Sequence, residues 1–94
     1  MKIFYYMVEA VPHKNNPDYK QYEGAYVNCW VKAASRMEAL SKIKEYLKNE
    51  ENWLYTKTEE VCVVRREQYL DIPESLAAFD YACENGLSVQ FYLF

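Results

Sequence analysis

Few side chains in this sequence are of a type that does chemistry, and those few do not fall into a reactive pattern. The single histidine, His13, stands in the polar stretch 12–23 among prolines and asparagines. An imidazole acts as a base or a metal ligand when a second group orients it, and no Cys, Asp or Glu cluster accompanies this one. Cys29, Cys62 and Cys83 are widely spaced and form no CxxC pair, so neither a zinc site nor a disulfide framework is indicated. Each has apolar neighbours, so buried structural thiols are expected. Glu59 and Glu60 are adjacent within an expected strand and so point to opposite faces, a poor start for paired-carboxylate catalysis. Arg65 and Arg66 could pair an anion, but at a strand end they read as surface. Only Gly24 and Gly86 are available, too few for a phosphate-cradling loop. The expectation is a non-enzymatic domain with no catalytic residue, no metal and no cofactor.

Composition points the same way. Eleven basic against fourteen acidic residues give a net charge of −3, the wrong sign for a nucleic-acid surface built on counterion release. No apolar run approaches the length of a membrane span, and the opening residues lack a signal peptide's core and cleavage site, so a cytoplasmic location is expected. Ninety-four residues suit one domain, 1–94. The unusual feature is aromatic: ten Tyr, four Phe and two Trp. Tyrosine joins an apolar ring to a polar tip and is at home on surfaces that become buried against a partner.

The elements that must position these side chains are legible from periodicity. Residues 2–11 are strand-forming and apolar on both sides, with Phe4, Tyr6, Val8 and Ala10 alternating against Ile3, Tyr5, Met7 and Glu9. Residues 12–23 make a long irregular connector. In 25–33, small residues (Ala25, Val27, Cys29, Val31, Ala33) alternate with Tyr26, Asn28, Trp30 and Lys32. Ser35 and Glu38 form a capping box for a helix whose core stripe is Leu40, Ile43 and Leu47. Strand resumes over 53–66, bent or weak at the polar segment 56–60. Asp71 and Glu74 read as a second capping box, Leu76, Phe79, Ala82 and Cys83 as the second helix's stripe, and Gly86 as its stop. A last strand covers 87–94.

These elements, in the order ββαβαβ, predict an α+β two-layer sandwich. Its four-stranded sheet would be mixed or antiparallel and carry both helices on one face, ferredoxin-like in general appearance. The other face would then stand open, presenting Tyr5, Met7, Tyr26, Asn28, Trp30, Lys32, Gln90 and Tyr92. An aromatic patch of that size is rarely left to water. The expected partner is a second copy of the chain, giving a homodimer, or another protein docking on the same face; neither nucleic acid nor membrane is expected. The alternative site is the 12–23 loop, where His13, Tyr19 and Tyr22 could contribute to a small-ligand pocket or an active site.

The runs Tyr26-Val-x-Cys-Trp-Val-x-Ala33, Ser35-x-x-Glu38-Ala39, Trp53 and Ala82-x-Glu-x-Gly86-x-Ser-Val-x-Phe91 resemble small bacterial α+β single-domain proteins of unknown function. The resemblance spans most of the chain and implies the fold rather than any activity. Size and acidity are also those of immunity and inhibitor proteins, which bind a partner protein.

Overall fold

The computed structural model describes all 94 residues. Strand β1 (Lys2–Pro12) and strand β2 (Ala25–Ala33) are followed by helix α1 (Arg36–Glu50) and strand β3 (Trp53–Val64). A short 3-10 turn (Arg66–Tyr69) leads to helix α2 (Pro73–Asn85) and strand β4 (Leu87–Leu93). The order ββαβαβ holds. Every strand pair is antiparallel, and the sheet order is β3-β1-β2-β4, an arrangement that departs from the ferredoxin-like one. β1 and β2 pair in register from Lys2 opposite Ala33 to Ala10 opposite Ala25.

The two helices lie on opposite faces, which corrects the expected two-layer arrangement. Helix α1 lays Ala39, Ile43 and Leu47 on Phe4, Tyr6, Val8, Val27, Cys29 and Val31, the main core. Helix α2 lays Ala78, Phe79 and Ala82 on Ile3, Trp30 and Val64, which belong to the other side of the pleat. The physical reason lies in the connections. β3 and β4 occupy opposite edges of the sheet, so the chain must cross a face between them, and α1 already fills the first. The two-sided apolarity of β1 records this double cover.

Local chemistry sets the element ends. Glu38 N–H donates to the Ser35 hydroxyl (3.2 Å), while Glu38 Oε2 accepts from the Ala34 amide (3.2 Å). That capping holds the Glu38 carboxyl below its ordinary range, the Ala34 hydrogen bond being the larger cause and Lys42 the next. Asn52 takes the left-handed conformation after α1 (φ 59°), and Gly86 does so after α2 (φ 95°), its amide donating to the Ala82 carbonyl (2.8 Å). The second expected cap is corrected. Helix α2 begins after Ile72 with Pro73 in its first turn and no side-chain cap, because the N-cap position falls on Ile72, whose side chain has no acceptor to offer the first-turn amides.

β3 runs as one strand through its polar middle, and the expected bend takes the form of two register shifts against β1. Met7 faces Glu60 and Val8 faces Thr58, so Glu59 bulges; Glu9 faces Lys57 and Ala10 faces Tyr55, so Thr56 bulges. Thr56 then turns its hydroxyl onto the Glu9 carbonyl (2.8 Å).

Candidate interaction surface

Helix α2 covers only one end of its face. At that end Trp30 is buried, 2 % exposed, and lies in an aromatic chain. Its ring centroid is 5.4 Å from that of Tyr5 and 6.3 Å from that of Tyr69, which is 6.0 Å from that of Phe79. Its indole N–H donates to the Tyr69 hydroxyl (3.1 Å). Trp30 is therefore a core residue and not an exposed anchor, a correction with the same cause as that of the helix arrangement: the face expected to be open carries a helix. Lys32 stays exposed but reaches the last turn of α2, donating to the Cys83 carbonyl (3.3 Å), where a cation is favoured by the helix dipole. Arg66 makes a two-pronged pair with Asp80 (2.9 and 3.1 Å), tying the 3-10 turn to α2. That hydrogen-bonded pairing holds the Asp80 carboxyl below its ordinary range.

The other end of the face is uncovered, and six of the eight expected members bear on it. Tyr26 and Tyr92 are directly paired across β2 and β4, 42 % and 53 % exposed, and Phe94 stacks on Tyr26 with ring centroids 5.2 Å apart. Asn28 pairs with Gln90. Asn28 also accepts the Tyr5 hydroxyl (2.8 Å), and Gln90 accepts that of Tyr92 (3.3 Å). Burial, reinforced by Glu60, pushes the Tyr5 phenol up to about 12, so it remains a neutral donor at ordinary pH. Met7 is half-buried opposite Glu60. On the β3 side this apolar zone meets charge, where Lys57 bridges Glu9 (3.6 Å) and Glu59 (3.1 Å).

Phe94 owes its place to Gly24. The two exchange backbone hydrogen bonds, Phe94 N–H to Gly24 O at 2.9 Å and Gly24 N–H to Phe94 O at 3.3 Å. A Cβ on residue 24 would lie 2.8 Å from the Phe94 ring and 2.9 Å from the Ala10 carbonyl oxygen, so only glycine fits without displacement.

The loop 12–23 is tied down by hydrogen bonds. Buried Asn16 donates to the carbonyls of Glu51 (3.3 Å) and Asn52 (3.1 Å) and accepts from the Asp18 amide (2.8 Å). His13 N–H donates to Asn52 O (2.9 Å), and His13 Nδ1 accepts from the Asn15 amide (3.1 Å). The loop stands over an open cleft of about 930 Å³ that His13, Tyr19 and Tyr22 line together with Val11, Leu54 and two lysines. The three residues expected to act together are thus brought together.

The cysteines are separate and unbonded. Burial raises Cys29 to about 12 and Cys62 above its ordinary value, away from the thiolate that reactivity requires. No group of three or more His, Cys, Asp or Glu side chains converges where it could hold a metal ion. No helix is long and apolar enough to cross a membrane.

Three residues that bear on the surface escaped the sequence reading. Leu93 is 43 % exposed at the end of β4. Tyr46 of α1 and Tyr81 of α2 flank the start of β4 around a hollow of about 340 Å³ floored by Leu87, Ser88 and Val89. Helix periodicity singles out neither tyrosine for a surface, since it says nothing of two helices meeting at one sheet edge. No protein-family model, curated protein or solved structure matches the chain.

Proposed function

We propose that this chain is a non-enzymatic protein-interaction domain that associates with a second copy of itself through the uncovered end of the α2 face. One observation carries the reading: Tyr26, Tyr92 and Phe94 are all exposed at one corner of that face. Tyrosine and phenylalanine so gathered are the usual anchors of an interface core, and the Lys57, Glu9 and Glu59 group beside them has the character of a polar rim. The test is sedimentation across a wide concentration range for the native chain and for Tyr26→Ser with Tyr92→Ser. The native chain should associate and the double variant should do so at least ten-fold more weakly, with an unchanged circular dichroism spectrum. A native chain that stays monomeric at high concentration refutes self-association.

The cleft beneath the 12–23 loop supports a second reading as a small-ligand site, because His13, Tyr19 and Tyr22 share it. A metabolite that reproducibly raises the melting temperature, and fails to do so with Tyr19→Ala, would favour that reading.

A further inference from the structure

The two edges of the sheet are built differently. β3 carries two bulges and the charges of Lys57, Glu59 and Glu60, the usual means of preventing strand addition. β4, Leu-Ser-Val-Gln-Phe-Tyr-Leu, has no charge, no proline and no bulge. Phe94 and Gly24 exchange both hydrogen bonds, and Lys32 N–H donates to Gly86 O (2.9 Å). The backbone groups of residues 86, 88, 90, 92 and 94 therefore turn toward β2. Those of Leu87, Val89, Phe91 and Leu93 turn to the outer edge by alternation, and β4 has no neighbour there.

We infer that this edge pairs antiparallel with the β4 of a second copy about a twofold axis at Gln90, joining two sheets into one of eight strands. The inference rests on the self-association reading and specifies its geometry. The sequence of the edge is self-complementary in this register. Leu87 meets Leu93 of the second copy and Val89 meets Phe91, so the α1 side is wholly apolar. On the α2 side Ser88 meets Tyr92 and Gln90 meets its own copy. The four outward residues form mutually bonded pairs, up to about eight new backbone hydrogen bonds by the antiparallel pattern.

Shape supports the same direction. The hollow between Tyr46 and Tyr81 lies at the start of β4, and the exposed apolar side chains Leu93 and Phe94 lie at its end. Antiparallel pairing brings the end of one strand to the start of the other. Leu93 of the second copy, on the α1 side, meets Tyr46, and its Phe94, on the α2 side, meets Tyr81. Parallel pairing would leave both hollows empty.

The experiment combines sedimentation with amide hydrogen exchange by NMR on the intact chain, above and below its association range. Edge pairing predicts that the amides of Leu87, Val89, Phe91 and Leu93 exchange fast in the monomer and become protected, by about a hundred-fold or more, in the dimer. A dimer in which these four still exchange fast overturns edge pairing and leaves association through the aromatic face standing. A chain that remains monomeric overturns both and leaves the edge to an extended peptide of another protein. The register has its own test. Gln90→Glu and Gln90→Lys should each weaken association about ten-fold or more by facing like charges, and an equimolar mixture of the two should restore it. Failure of the mixture to associate overturns the placement of the axis at Gln90.

Discussion

Trp30→Ala separates the burial seen here from the exposed anchor that strand alternation alone would assign. The indole is 2 % exposed, packs against Tyr5 and Tyr69, and donates its N–H to the Tyr69 hydroxyl at 3.1 Å. Truncating a buried Trp to Ala costs about 3–5 kcal/mol, through lost transfer energy and a residual cavity under α2. A small domain has only about 5–15 kcal/mol in total, so a large fraction of its stability goes. By the usual scaling of about 4–8 °C per kcal/mol, the melting temperature should fall by more than about 12 °C. Trp30→Phe keeps a ring in the site but loses the indole donor, and should cost about 1–2 kcal/mol. Urea unfolding followed by far-ultraviolet dichroism and by fluorescence of the remaining Trp53 measures both, at low protein concentration so that association does not contribute. If Trp30→Ala keeps its unfolding free energy within about 0.5 kcal/mol of the native chain, the reasoning is refuted and the side chain is a surface group.

Three further outcomes follow from the geometry. Gly24→Ala should lower stability by about 1–3 kcal/mol in the same urea assay, since its methyl group would meet the Ala10 carbonyl at 2.9 Å; a neutral effect would mean the β1–β2 end opens freely. Asn16→Ala should cost about 1–3 kcal/mol, since the Glu51 carbonyl and the Asp18 amide lose their side-chain partner while the Asn52 carbonyl keeps only the His13 N–H, and proteolysis within 13–23 should become faster. High pH should unfold the protein by a defined route. Burial raises the phenols of Tyr5 and Tyr46 from 10.0 to about 12, so the folded state keeps protons that the unfolded state releases. Their stabilising contribution is complete below pH 10.0 and declines as pH rises toward about 12. Absorbance of tyrosinate and loss of dichroism should therefore coincide for these late-titrating groups; full ionisation in a folded chain would contradict their burial.

The strands, the Ser35 cap and the Gly86 stop were legible because each is a local property. Alternation fixes which side chains share a face, as with Val27, Cys29 and Val31, and a cap needs only its own turn. What covers a face is a property of distant segments. The expectation that both helices share one side treated Trp30 as free. Yet Ile3, Trp30 and Val64 on one side, with an α2 stripe of Ala78, Phe79 and Ala82, already formed a matched small-and-large pair of surfaces. β1 being apolar on both sides was the stronger signal, one that a two-layer fold cannot use. The loop residues His13, Tyr19 and Tyr22 were grouped by proximity in sequence and do share a cleft. The tie that holds their loop, Asn16 to the end of α1, joins residues thirty-five and thirty-six positions apart and leaves no local mark.

The bulged, charged β3 edge has a consequence for stoichiometry. A sheet with two receptive edges could add copies without end, and strand addition would become a route to fibres. Here Glu59 and Thr56 break the ladder on one side while β4 stays regular on the other. Any assembly by strand pairing therefore has a valence of one, and it closes at its first partner.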